Sequence, residues 1–317
     1  MNKILAMILC IVLAVFAFPI NALADDIDIS RRPNLEILFK DGEKPLCGAK
    51  FDVFLVAEVD SEGNYYPKEE FSLFNVKDAA KSSESWRELA ITLEGYVQKE
   101  KIEPYISGAT DENGRLAFGD EKAFVCGIYL VVGHAHRQDG FIYYAETAVI
   151  QLPTADSKTG EWNYNVTLKP KYSVKPETEE EEFITRKVIK IWDDKGFEAK
   201  RPKEIRVFLL RDGELFDTVI LSRENNWRYT WEKLEGDYKW TVAEESLSGY
   251  SPKIKKEGIT FVITNTYAEE KPSPEVPEKP IDPSLPQTGQ LWWPVPVMAF
   301  MGLLFIAAGI IRKRGSR

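Results

Sequence analysis

Histidine and cysteine are almost absent from this chain, with two of the first and three of the second in 317 residues. That scarcity removes most routes to a zinc or redox-metal centre, which draw on clusters of those side chains. His134 and His136 have the one-face spacing of a strand and could share a metal. No cysteine or carboxylate partner is evident beside them, so they read as solvent-facing or core residues, and no metal or other cofactor is expected. An excess of positive charge is also missing. The formal charge is −9, which argues against nucleic acid as a partner and fits a soluble surface protein. The chain shows no glycine-rich phosphate loop, no nucleophile–base–acid triad and no paired-acid arrangement, so it is not expected to be an enzyme.

Long apolar runs are missing except at the two ends. Lys3 is followed by an apolar stretch from Ile4 to about Ile20, and Ala22-Leu23-Ala24 is a small-x-small cleavage site. This reads as a secretory signal peptide over residues 1–24. Cys10 lies inside the apolar run, too early for a lipoprotein signal, and leaves with it. At the other end the run from Leu291 to Ile311 is long enough to cross a bilayer as a helix. Trp292 and Trp293 sit where aromatic rings favour the membrane interface, and Arg312-Lys313-Arg314 resists translocation. Immediately before this run stands Leu285-Pro286-Gln287-Thr288-Gly289.

The order pentapeptide, apolar span, basic stop resembles the LPxTG cell-wall sorting signal of Gram-positive bacteria, here residues 285–317. The resemblance implies that a sortase cleaves between Thr288 and Gly289. The Thr288 carboxyl then passes to an amine on a peptidoglycan precursor or on a neighbouring pilin subunit. The membrane would hold only the precursor. The mature chain would be secreted and wall-linked, from about Asp25 to Thr288.

Between the ends, turn signals and period-2 alternation dominate. Residues 25–173 read as a β-sandwich with strands over Asn34–Lys40, Lys50–Glu58, Leu116–Phe118, Ile128–Gly133, Phe141–Leu152 and Trp162–Lys169. One helix is inserted over 85–102: Trp86, Leu89, Ala90, Leu93 and Val97 repeat at helical spacing, and Ser85 with Glu88 makes a capping box. Residues 174–183 are a dense acidic run that reads as a solvated linker. Residues 184–267 are strand patterned throughout, with Lys187–Trp192, Ile205–Arg211, Leu215–Ser222, Trp227–Trp231, Tyr238–Glu244 and Ile259–Tyr267, which points to a second antiparallel sandwich. Residues 268–284, rich in Pro, Glu and Lys, read as an extended stalk. The fold class expected is therefore mainly β, two tandem prealbumin- or Ig-like sandwiches.

In the second region Lys190-Ile191-Trp192-Asp193-Asp194 with Arg201-Pro202, Trp240-Thr241-Val242-Ala243-Glu244 with Gly249-Tyr250, and Ile263-Thr264-Asn265-Thr266-Tyr267 occur in the order of a Cna B-type domain, which this region resembles. The resemblance implies a spontaneous isopeptide bond between Lys190 and Asn265, assisted by Glu244. Strand parity makes a case of its own. Lys190 shares a face with Val188 and Trp192, Glu244 with Trp240 and Val242, and Asn265 with Ile263 and Tyr267. If that face is the core, desolvation disfavours both charges, leaving a nucleophilic amine and a protonated acid. On the residues alone, an edge lysine with its head in water and a turn asparagine account for the pattern equally well.

The first region resembles the N-terminal domain of Gram-positive pilin subunits, through Lys44-Pro45-Leu46-Cys47-Gly48-Ala49-Lys50-Phe51, through Gly127-Ile128-Tyr129-Leu130-Val131 and through its last strand. Where such domains often carry the crosslinking lysine stands Phe39. Gly133 or Ala135 stands at the acid, and no asparagine follows Lys171, so no isopeptide bond is expected here. Cys47 and Cys126 are an even pair in an exported chain, and a disulfide between them is expected. Two free thiols or a cysteine thioester are the alternatives. Trp162-Asn163-Tyr164-Asn165-Val166-Thr167-Leu168-Lys169-Pro170-Lys171 resembles the pilin motif whose last lysine attacks the acyl-sortase of the next subunit, which would make Lys171 the linking amine. An ordinary solvent lysine is the alternative. Together these resemblances imply a structural pilin subunit, shaft or base. The second reading is a stand-alone adhesin whose first domain binds a host or matrix ligand.

Overall fold

Every residue of the strand Gly127–Gly133 is buried, and the alternation of its side chains shows why. Ile128, Leu130 and Val132 belong to one hydrophobic core, Tyr129 and Val131 to another. Successive strand residues point to opposite faces, and a strand covered on both needs a near-continuous apolar run. The computed structural model describes residues 26–79, 82–118, 124–156, 159–177 and 182–267. The signal-peptide, stalk and sorting-signal readings, including Leu285, Pro286, Gln287, Thr288 and Gly289, lie outside the described residues, as does part of the acidic run at 178–181.

The buried strand runs in a five-stranded sheet with Ala148–Leu152, Lys50–Val59, Tyr65–Pro67 and Ile106–Ala109. The long helix Ser83–Glu100 covers one face with Leu89, Ala90, Leu93 and Val97. On the other face the second core closes against Asn34–Leu38, Arg115–Ala117 and Phe141–Ala145. The first strand, Asn34–Leu38, pairs in parallel with Asn165–Leu168 near the end of the region. The layers are helix, sheet, sheet.

From residue 182 onward the chain forms a second sandwich. One sheet runs Arg228–Glu235, Phe183–Asp193, Thr260–Tyr267, Tyr250–Glu257, and the facing sheet runs Glu214–Ser222, Glu204–Arg211, Trp240–Glu244. Val188, Phe261 and Ile263 from one sheet meet Val207, Leu209 and Val242 from the other in a single core. Here too the first strand, Phe183–Asp193, and the last, Thr260–Tyr267, are parallel neighbours. The fold is mainly β and sandwich-like, with one long helix among the described residues.

That helix has a second buried flank. Thr92 Oγ1 accepts a hydrogen bond from the Ile254 amide at 2.8 Å. Thr241 and Gln98 side chains bond at 2.6 Å, and Ile91 packs on the core of the second sandwich. Gly95 faces the Val242 carbonyl so closely that an added Cβ would collide with it. Lys239 pairs with Glu94, Lys253 with Glu88 and Lys255 with Glu84 at 2.5, 2.7 and 2.9 Å.

Five expectations change. The segment 174–183 is not linker throughout, since Tyr172–Pro176 is a strand paired with Phe141–Ala145 and Phe183 opens the next strand. The helix is capped by Ser82, not Ser85: Ser82 has the extended backbone an N-cap requires and its Oγ accepts from the Ser85 amide at 3.1 Å, while Ser85 is already helical. The expected strand Phe141–Leu152 is two strands, Phe141–Ala145 and Ala148–Leu152, which pair in different sheets. Tyr250–Glu257 is a strand the sequence pattern hid, because Pro252 and three lysines mask its alternation. It lies at a sheet edge, where proline is tolerated. Finally, Cys47 and Cys126 are both free thiols, and the expected disulfide is not formed. Cys47 lies just before the start of Lys50–Val59, while the Cys126 carbonyl accepts from the Val59 amide at its far end. At about 3.3 Å per residue that strand separates them by roughly 30 Å, far beyond the ~4.4–6.8 Å between Cα atoms that a disulfide spans.

Candidate functional site

Strand parity and register build the site in the second sandwich. The parallel ladder pairs Lys190 with Ile263 and Trp192 with Asn265. Lys190 and Asn265 are both inward residues of neighbouring strands, so they lie one diagonal step apart on the same face. Glu244 ends Trp240–Glu244 in the opposite sheet, in register with Val207. Lys190 is 4%, Glu244 7% and Asn265 1% exposed.

The carboxyl of Glu244 bridges the other two. Lys190 Nζ lies 3.3 Å from Oε2, and Asn265 Nδ2 donates to Oε1 at 3.0 Å. Asn265 Oδ1 is buried with no hydrogen-bond partner among the described residues. Aromatic rings wall the site. Lys190 Nζ is 4.5 Å from the Trp192 ring centroid, and Trp192 meets Trp227 and Tyr250 edge-on at 5.3 and 5.2 Å. Burial pushes the Lys190 amine down to about 8, against the pull of Glu244. Burial pushes Glu244 upward, against Lys190 and Asn265. A charged pair in a dry core is costly, and both shifts favour the neutral pair, an amine beside a carboxylic acid.

Residues 186–266 match the family model of the Cna protein B-type domain. The segment that matches spans all three site residues. The chain is 39% identical over 109 residues to the collagen adhesin of Staphylococcus aureus, a match covering 31% of this chain and 9% of the adhesin's length. Among solved structures, a single B repeat unit of the collagen-binding surface protein of Staphylococcus aureus is 18% identical with a TM-score of 0.26, covering 75% of this chain and 98% of that one. The full-length major pilin SpaD of Corynebacterium diphtheriae is 16% identical with a TM-score of 0.31, covering 76% and 65%. Overall superposition is limited in both.

The other residues singled out in the sequence lie apart from this site. Lys171 is exposed, between Asn165–Leu168 and Tyr172–Pro176, and its carbonyl accepts from the Glu146 amide at 2.7 Å. Cys47 is exposed and Cys126 buried. His134 bonds Asp52 at 2.7 Å and His136 bonds Gln138 at 3.1 Å. In the first sandwich Phe39 is buried and meets Phe51 and Tyr172 edge-on at 5.5 and 5.7 Å. Sequence reasoning gave no role to Asp194, Arg201 or Tyr250, which form a cluster beside Trp192 in which Asp194 and Tyr250 are buried and Arg201 is half-buried. Strand parity gives no signal for Asp194, because the strand that carries Lys190 ends at Asp193.

Proposed function

We propose that this chain is a structural surface protein of a Gram-positive cell, a pilin-type subunit whose Cna B-type sandwich is locked by a Lys190–Asn265 isopeptide bond. The observation that carries the reading is the buried bridge of Glu244 between the Lys190 amine and the Asn265 amide. In the reaction the lone pair of neutral Nζ attacks the Asn265 side-chain carbonyl carbon. The Nζ–Cγ bond forms, the Cγ–Nδ2 bond breaks, and ammonia leaves. One oxygen of Glu244 faces the amine that loses a proton and the other faces the nitrogen that gains one, so the acid can relay it and end unchanged. A half-turn of the Asn265 amide would bring its orphaned oxygen to the Glu244 carboxyl, where a protonated acid donates to it and polarises the carbonyl.

The bond would join the first strand to the last. Tension applied at the two ends of the sandwich would then load a covalent link rather than peel a hydrogen-bonded ladder. The sorting motif at Leu285–Gly289 supports wall attachment by a sortase through Thr288, and exposed Lys171 supports acceptance of the next subunit. Intact-mass measurement of the wild-type chain is expected to fall one ammonia below the sequence mass, and Glu244→Gln is expected to restore full mass. In the native host, Lys171→Ala is expected to abolish covalent ladders on denaturing gels of wall extract. A ladder that persists unchanged removes Lys171 from the scheme. The collagen adhesin match favours a second reading, a stand-alone adhesin. That reading predicts no ladder in the wild type.

A further inference from the structure

A carboxylate near Lys190 works against the chemistry just described, because it favours the ammonium form. Asp194 is such a group. It is 3% exposed and follows the strand that carries Lys190. Its charge raises the proton affinity of Lys190, opposing the effect of burial. The chain covers it from two sides. Arg201, just after the 3-10 turn Glu198–Lys200, donates through Nε to Oδ2 at 2.9 Å and through Nη2 to Oδ1 at 2.5 Å. Tyr250, on the edge strand, donates its hydroxyl to Oδ2 at 3.0 Å. The Arg201 guanidinium also lies 5.8 Å from the Trp192 ring centroid, and Lys190 Nζ 4.5 Å from the same centroid. The Arg201 fork holds the Asp194 carboxyl below the usual range.

We propose that Arg201 is a positioning residue for isopeptide formation: it forks onto buried Asp194 and cancels a charge that would otherwise keep Lys190 protonated. The inference rests on the crosslinking reading. The other groups facing Lys190 do not take over this task. Glu244, from the opposite sheet, is the relay itself. Glu245 beside it accepts from the Arg206 amide at 2.9 Å. The last strand contributes neutral Asn265, and Arg228 on the other neighbouring strand is exposed.

The test follows ammonia loss by time-resolved intact mass in the full-length chain, freshly made by cell-free synthesis, across a range of pH. In the wild type the rate rises as Lys190 deprotonates. In Arg201→Met the rising limb is expected to move up by about one pH unit, which is about tenfold in rate at a fixed pH below it. The double variant Arg201→Met/Asp194→Asn is expected to return the limb towards the wild-type position. A merely structural bridge would leave the double variant as slow as the single one. Arg201→Lys keeps the charge and is expected to keep the profile near wild type. If Arg201→Met fails to fold, Tyr250→Phe decides, with a smaller upward move expected. An unmoved profile in either, or no recovery in the double variant, overturns the role of Arg201. A wild-type chain that never loses ammonia overturns the crosslinking reading instead.

Discussion

The two sandwiches share one feature of topology and differ in what they place upon it. In each, the opening strand lies parallel to a strand from the end of the region, Asn34–Leu38 with Asn165–Leu168 and Phe183–Asp193 with Thr260–Tyr267. The first fills the core beside this ladder with aromatic packing: Phe39 against Phe51 and Tyr172, and Tyr143 5.9 Å from Tyr172. Gly133 leaves room for it, since a Cβ there would lie 2.6 Å from Ala145 and 2.9 Å from Phe51. The second sandwich puts an amine, an acid and an amide in the corresponding place. Burial that stabilises rings by removing them from water penalises ions, and in our proposal that penalty is what makes the polar trio reactive. The same ladder is thus held by packing in one half and, as we propose, by a covalent bond in the other.

The comparison can be broken by removing each device in turn. Asn265→Ala is expected to cost most. By the loop-entropy relation used for disulfides, losing a crosslink across a loop of this length costs about 4–5 kcal/mol, read as a lower urea midpoint together with full mass. Phe39→Ala is expected to cost about 3–5 kcal/mol through lost burial and cavity formation, with no change in mass deficit. A Phe39→Ala chain that also regained full mass would tie the two devices together and spoil the contrast. Thr92→Val removes the acceptor of the buried Ile254 amide and is expected to cost about 1–3 kcal/mol. Because it loosens the contact between helix and second sandwich, faster hydrogen exchange at Ile254 should accompany it. Exchange that is unaltered would mean that the helix contributes little to the second half.

Much of this was legible in the sequence, and the reasons differ by element. The trio Lys190, Glu244 and Asn265 was named through the resemblance to Cna B-type domains; parity put each in phase with Val188, Val242 and Ile263 but on its own left an edge lysine and a turn asparagine equally open. The core face of the helix was legible through Trp86, Leu89, Leu93 and Val97. Its other flank was not, because Glu88, Thr92, Gly95 and Gln98 look like a solvated surface until a second sandwich is laid upon them. The cysteine pairing was misread because an even number says nothing about which end of a strand each thiol occupies. Tyr250–Glu257 was hidden by its lysines, two of which, Lys253 and Lys255, pair with acids on the helix.

The central claim is the bond itself, and tandem mass spectrometry of a protease digest of the wild-type chain tests it most directly. The account predicts one branched peptide in which Lys190 is joined to Asn265, lighter by one ammonia than its two parts. Lys190 and Asn265 recovered only in separate linear peptides of full mass would contradict it.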